Sequence, residues 1–493
     1  MKKEFEVWAD SFHEGEWFCE KIKKFFKLKN IEYIDGFIPK YEFLYENLEI
    51  TFIVYGNYKS WNPIPKCIKD LLDWGKPDFI LYDRLKDSII FSVEETAATP
   101  TGNQALQRCE RMYGAARKKV PFWYFISEFG QHSDGKIRKD SIWPSIMALK
   151  LSIAFRTPCI VLHYSDENHV EDYNSGEGLN SLFSSLFLFI LQYCNYLKNL
   201  IDLETIIFQQ YMKMLFYIKD QWENIVQFIP FDYFIQDIEK ASNFLTELVI
   251  KNNEKNLNDN LQKFFLWPKA AELPKINLIR SKELIKFDPL AFLLEKNLDI
   301  LKKNSYILSD NAGSGKPPGK KELLNWIENQ NKLFEETYSI YELEKDLFKL
   351  NIKDFPKTEN GNYHLTTAKN IFYLFDTWAE LEKIIIAAFP RLKNKFVHLE
   401  NKKNKPALIY ISNSITPGRL FGDPYTGQIS AFSCIFGKID KSERVIIAYF
   451  PHQNFSQAVT KTSNKGKVLM KELTDCLIFG GGIGVNLSKN EVL

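Results

Sequence analysis

The residues of this chain best suited to chemistry lie between Lys76 and Thr99, in KPDFILYDRLKDSIIFSVEETAAT. Pro77-Asp78 opens a short apolar run, a polar turn follows from Asp83 to Ser88, and a second apolar run exits into Glu94-Glu95. If the two runs are adjacent antiparallel strands, acids stand at neighbouring strand ends, where they can hold a hard divalent cation through oxygen. Such a cation polarises a phosphate and makes hydroxide from water, the two requirements of phosphodiester hydrolysis. Alternation puts Ser92, Glu94 and Thr96 on one strand face and Phe91, Val93 and Glu95 on the other. With Phe91 and Val93 turned to the core, Glu94 is the ligand beside Asp78, and Glu95 either supports the site or takes a second ion.

The next segment, TGNQALQRCERMYGAARKKV, has helical periodicity from Asn103 to Val120. Gln104, Arg108, Arg111 and Lys118 fall near one face, and Ala105, Cys109, Met112 and Ala116 form the apolar face opposite. A basic face directly after an acidic strand suits a phosphate backbone. The order of helix, Pro-Asp strand, turn, acid-ended strand and basic-faced helix resembles the PD-(D/E)xK nuclease superfamily, and within it the type II restriction endonucleases. Asp78 matches the first acid of that motif and Glu94 the second, while the motif lysine is Thr96 here. Gln107 and Arg108, following the Glu-Glu-Thr strand end, resemble the helix residues that replace the lysine in some of these nucleases. An acid on the first helix often completes such sites, and Glu16 or Glu20 of HEGEWFCEKIKKFF is in range, although a solvent-facing carboxylate is the commoner fate of both.

The resemblance implies an α/β (α+β) fold, a restriction-endonuclease-like mixed sheet flanked by helices. It also implies Mg²⁺ as cofactor with Mn²⁺ as the alternative, double-stranded DNA as substrate, and cutting at a specific sequence. Palindromic cutting implies a homodimer. A DNA methyltransferase is the implied genetic partner, since a sequence-specific nuclease kills an unmodified host. Two rivals stand beside this expectation: another phage-defence, transposon or repair nuclease of the same fold, and a catalytically inactive DNA-binding module, which Thr96 favours.

These residues need elements to position them. Up to about residue 170 helical patterns alternate with short apolar strands, at Leu48 to Tyr55, Phe79 to Tyr82, Ile89 to Val93, Phe122 to Ile126 and Cys159 to His163, with a first helix at Glu14 to Phe26. We therefore expect a nuclease domain over 1–170. Residues 171–350 read as a helical middle domain, including the apolar run Leu179 to Tyr193, which is shorter than the roughly 20 residues of a membrane span. A smaller α/β or β-rich domain is expected over 351–493, with strands at Ala407 to Ser412, Gln428 to Phe436 and Val445 to Phe450. Within it Arg419, beside the turn-forming GDPYTG, is a further candidate for DNA contact. No internal repeat is visible in the sequence.

Other motifs carry little. SDNAGSGKPPGKK has Asp310 where a phosphate loop needs its first glycine and Pro317 where it needs a hydroxyl. FGGGIGVN lacks dinucleotide-loop spacing and reads as a turn beside a strand. The histidines form no HxH or HxxxH pair, which leaves no histidine metal site. Seven scattered cysteines without a CxxC pair fit a reducing cytosol. The N-terminus has acids where a signal core would be apolar, so a cytoplasmic protein is expected. Net charge is only +2, so any DNA-binding surface must be local.

Overall fold

Acidic and basic residues alternate with apolar ones at the start of KKEFEVWA, and the strand it forms, β1 (Lys2–Ala9), buries its second half completely. In the computed structural model described here, ten strands belong to the N-terminal part: β1, β2 (Lys27–Ile34), β3 (Ile38–Tyr45), β4 (Leu48–Gly56), β5 (Phe79–Asp83), β6 (Ser88–Thr96), β7 (Phe122–Ser127), β8 (Phe129–Gln131), β9 (Ile137–Lys139) and β10 (Cys159–Tyr164). The helices are α1 (Phe12–Ile22), α2 (Lys66–Leu72), α3 (Cys109–Arg117), α4 (Trp143–Phe155), α5 (Glu177–Tyr193), α6 (Leu200–Ile225) and α7 (Ile238–Ile250). The described residues are 1–96, 106, 108–127, 129–131, 137–139, 141–164, 177–225, 238–251, 276–277, 305–308, 370–412, 425–436, 439–450, 464–480 and 482–493, with isolated positions between 290 and 352.

The chain divides into two compact units, one built on Met1–Leu266 with Thr426–Ile435 and Asn464–Leu469, the other on the remainder. In the first unit one mixed sheet runs β10-β7-β6-β5-β1-β4-β3-β2. β6 lies inside it, antiparallel to β5 and parallel to β7. A strand between two neighbours has both faces available for burial, and both are used. On one face Phe91 and Phe79 meet Phe18 of α1, whose ring also contacts Phe183 of α5, with centroids 5.1–6.3 Å apart. On the other face Ser92, Glu94 and Thr96 are also buried, Glu94 against Arg111 of α3, so the face expected to be open is covered. Each fully buried Phe contributes about 2–3 kcal/mol. That gain offsets the cost of covering the carboxylate.

The apolar run Leu179 to Tyr193 forms the buried helix expected of it, with Leu182, Leu186 and Ile190 fully enclosed. Helices after residue 170 pack on the N-terminal sheet: Gln210 of α6 accepts from the Trp123 indole at 3.1 Å, and the Tyr211 hydroxyl lies 3.2 Å from Ser152 Oγ of α4. Among the described residues no helix is long and apolar enough to cross a membrane.

The second unit has its own mixed sheet, in the order β11 (Ile276–Asn277), β12 (Ser305–Leu308), β13 (Asn370–Phe375), β14 (Ala407–Ser412), β15 (Val445–Phe450), β16 (Cys476–Phe479), β17 (Ile483–Asn486) and β18 (Glu491–Val492). α8 (Trp378–Ala388) packs on it through Trp378, Leu381 and Ile385. In the chain β14 is followed by α9 (Tyr425–Phe436) and β15 by α10 (Asn464–Leu473), and most of each helix, Thr426–Ile435 and Asn464–Leu469, belongs to the first unit. The run Gln428 to Phe436, expected as a strand, is therefore helix. β14 and β15 are parallel neighbours, and parallel neighbours need a crossover rather than another strand. The Ser430 hydroxyl donates to Thr426 O at 2.6 Å, one helical turn back. FGGGIGVN turns from β16 into β17 through Gly482 at φ 74°, a backbone state open to glycine.

Candidate active site: two acids and two arginines

Asp78 and Glu94 come together through strand register. Phe79 pairs with Val93 across β5 and β6, so one step further out Asp78 stands against Glu94. The backbone on either side of Asp78 is fixed: Asp10 N donates to Asp78 O at 3.0 Å, and the Tyr58 hydroxyl lies 2.9 Å from Pro77 O and 3.1 Å from Trp8 O. The Glu95 amide donates to Asp78 Oδ2 at 2.5 Å, which ties the carboxylate to the exit of β6. Asp78 Oδ1 has no hydrogen-bond partner among the described residues.

Glu94 is 0% exposed. Its Oε1 forms ion pairs with Arg108 at 2.9 Å and with Arg111, while its Oε2 is buried without a partner among the described residues. Arg108 also donates to Glu95 O at 2.6 Å. α3 can bring Arg111 this close because it runs against Gly75, where a Cβ would sit 2.6 Å from Arg111 Cγ. A leaner neighbour there makes room for the guanidinium.

Burial pushes the Asp78 carboxyl well above the usual carboxylate range, and the Glu94 charge pushes the same way; the Glu95 amide, Arg111 and Arg108 oppose it. Burial works against the charge of Arg111 and of Arg108, but Glu94 outweighs it, so both guanidiniums stay protonated. Two carboxylates face two guanidiniums, and the formal charges cancel. Among the described residues, no group of three His, Cys, Asp or Glu side chains is gathered so as to hold a metal ion. The residues present nevertheless fit a divalent cation held by two acids. An orphaned, fully buried carboxylate oxygen on Glu94 is costly without a partner, and it lies beside a second carboxylate with an oxygen to spare.

Glu14, not Glu16 or Glu20, is the helix acid nearest this pair. Its carboxyl is raised by burial, held partly down by Ser11, and raised again by the charges of Asp10 and Glu94. Glu16 and Glu20 instead lie toward Tyr41, and Glu20 pairs with Lys23 at the surface. A signal for Glu14 was present: Ser11-x-x-Glu14 is a capping box, and both of its hydrogen bonds form, placing Glu14 in the first turn of α1. Tyr58 and Lys76 also escaped sequence reading. Tyr58 sits among Asp78, Asp10, Glu14 and Glu94, and Lys76 pairs with Asp10 at 3.2 Å with its ammonium 5.8 Å from the Tyr58 ring.

Of the residues expected at the site, the structure brings together Asp78, Glu94, Arg108, Arg111 and the backbone of Glu95. The Glu95 side chain alternates to the opposite face of β6 from Glu94. Lys118 lies elsewhere, 3.5 Å from Asp70, and Thr96, at the motif-lysine position, is buried. Gln107 and Arg419 lie outside the described residues. The basic face of α3 is a correction: Arg111 has only 14% of its side chain exposed, and with Arg108 it turns onto Glu94 rather than to open solvent. The cause is the acid itself, since a buried carboxylate draws the nearest cations.

The sequence matches no protein-family model, and no curated protein or solved structure matches it either.

Proposed function

We propose that the chain is a metal-dependent endonuclease of double-stranded DNA, of the restriction-endonuclease kind and fold, with Mg²⁺ as cofactor and Mn²⁺ as the alternative. One observation carries the reading: half-buried Asp78 and fully buried Glu94 stand side by side at paired strand ends, each with an oxygen left unbonded, and two arginines stand over them. A bound Mg²⁺ supplies an activated water and polarises the scissile phosphate. Asp78 and Glu94 would hold it, and each has an oxygen without a hydrogen-bond partner among the described residues. The Glu95 amide keeps the Asp78 carboxylate aimed at the seat. Arg108 and Arg111, which engage Glu94, would orient the DNA backbone through its phosphate oxygens and offset its charge. Glu14, whose carboxyl feels the Glu94 charge, would influence proton movement at the site, while Lys76 pairs with Asp10. Restriction in a cytoplasmic setting, with a partner methyltransferase protecting the host DNA, is the biological role this chemistry fits.

A second reading, an inactive DNA-binding module on the same scaffold, is favoured by one feature: both arginines engage Glu94, and Thr96 supplies no cation. Incubation with unmethylated plasmid separates the two. Discrete fragments in Mg²⁺ that vanish with EDTA support the nuclease. DNA binding without any cleavage in Mg²⁺ or Mn²⁺ supports the module.

A further inference from the structure

The scaffold that carries Asp78 and Glu94 occurs twice in the chain. In the first sheet β1, β5, β6, β7 and β10 are successive neighbours, paired antiparallel, antiparallel, parallel and parallel. In the second sheet β12, β13, β14, β15 and β16 follow one another in the same chain order, with the same four pairings. The helical crossovers fall at the same places. α3 joins β6 to β7 and α4 joins β7 to β10, as α9 joins β14 to β15 and α10 joins β15 to β16. Shared order, direction and crossover position are what duplication of one unit leaves behind after sequence similarity has faded.

The copies differ where the chemistry lies. Asp78 and Glu94 stand at the end of the β5–β6 hairpin, and the matching end of β13–β14 is the pair Asn370–Ser412. Matched instead through the parallel neighbour, Glu94 pairs with Tyr124 on β7 as Ile411 pairs with Tyr449 on β15. Either registration leaves the second copy without an acid, and neither NIFYLF nor ALIYIS contains Asp or Glu. Asp475, a buried acid of that sheet, precedes β16 at the opposite end of the strands. There it is bound to Lys402 at 2.7 Å and accepts from Ile446 N at 2.9 Å. It serves the fold.

We infer that the C-terminal unit is an acid-free second copy of the catalytic scaffold, so that one chain presents two unlike halves and a single cutting centre. The inference rests on the nuclease reading and sharpens its substrate. Two-fold symmetric sites are read by two-fold symmetric proteins. Acting as a monomer, a chain whose halves are unlike has no such axis, so its substrate is an asymmetric duplex sequence and its first product is a nick in one defined strand.

The test maps nicks on supercoiled plasmid by strand-specific end labelling, with Mn²⁺ binding measured by calorimetry on the full chain. The parent should nick one strand at least tenfold faster than the other, at non-palindromic sequences. Asp78→Ala with Glu94→Ala should abolish all nicking together with the Mn²⁺ site. Equal cutting of both strands at a palindrome overturns the inference, as does residual nicking of the other strand in the double variant. If the parent cuts no DNA, the nuclease reading fails, and the Mn²⁺ count still decides the copies. One site lost in the double variant upholds a single acid-bearing half. A comparable site surviving in that variant, or no site in the parent, overturns it.

Discussion

Removing an arginine from this centre should tighten metal binding while weakening DNA binding. Glu94 is already balanced by Arg108 and Arg111, and burial raises the Asp78 carboxyl well above the usual carboxylate range, so a divalent ion approaches a seat with no net attraction. At an effective dielectric constant of about 20, a guanidinium ~5 Å from a divalent ion repels it by roughly 7 kcal/mol. Arg108 keeps 28% of its side chain exposed, and solvent screening removes most of that figure. A tenfold to hundredfold gain in Ca²⁺ affinity, about 1.4–2.7 kcal/mol, is the expectation for Arg108→Ala without DNA. Calorimetric titration with Ca²⁺ measures it in a state that cannot turn over substrate. The same variant should bind DNA more weakly, with a salt dependence flatter by about one unit. In the parent, DNA phosphates should raise Ca²⁺ affinity by drawing the arginines from Glu94, and this coupling should shrink in the variant. Unchanged or weaker Ca²⁺ binding in Arg108→Ala would refute the charge-balance argument.

Glu94→Ala should unfold at lower denaturant, by about 3–5 kcal/mol, because it leaves two enclosed guanidiniums without their acid. Glu95→Ala, with its side chain on the other face, should lose less cleavage than Asp78→Ala in a single-turnover assay. Gly75→Ala should displace Arg111 and lower cleavage while leaving far-ultraviolet circular dichroism intact. Burial pushes the Lys150 ammonium from its usual 10.5 down to about 7. Below pH 7 both the native and unfolded chains are protonated and the burial penalty is complete. Between about pH 7 and 10 the unfolded chain alone keeps the proton, so stability should climb by up to about 1.4 kcal/mol per unit, and Lys150→Met should flatten that rise in denaturant titrations.

The first acid pair was legible because strand alternation and a polar turn fix which residues meet across a hairpin, and Asp78 and Glu94 meet as that pattern requires. The outward look of α3 was not. Periodicity gives a helix's polar face but not what that face meets, and a carboxylate buried beneath it reversed the meaning of Arg111. Glu14 was legible through Ser11, but only if the capping box is treated as a position rather than a helix signal. The run Gln428 to Phe436 misled because its small and branched apolar residues suit a strand, whereas the need to cross between parallel β14 and β15 is a property of the sheet. Duplication was invisible for a related reason. Strand order and direction persist while residues drift, and neither is written in local composition.

The central claim is tested most directly by comparing Asp78→Asn with the parent in two assays on one duplex, cleavage in Mg²⁺ and binding in Ca²⁺. Asn can still accept the Glu95 amide, so the fold around β5 and β6 should persist. Cleavage should fall at least about a thousandfold, about 4 kcal/mol of transition-state stabilisation, while DNA affinity stays within a few-fold of the parent. A variant that cuts as fast as the parent would show that the carboxylates of β5 and β6 are not the catalytic centre.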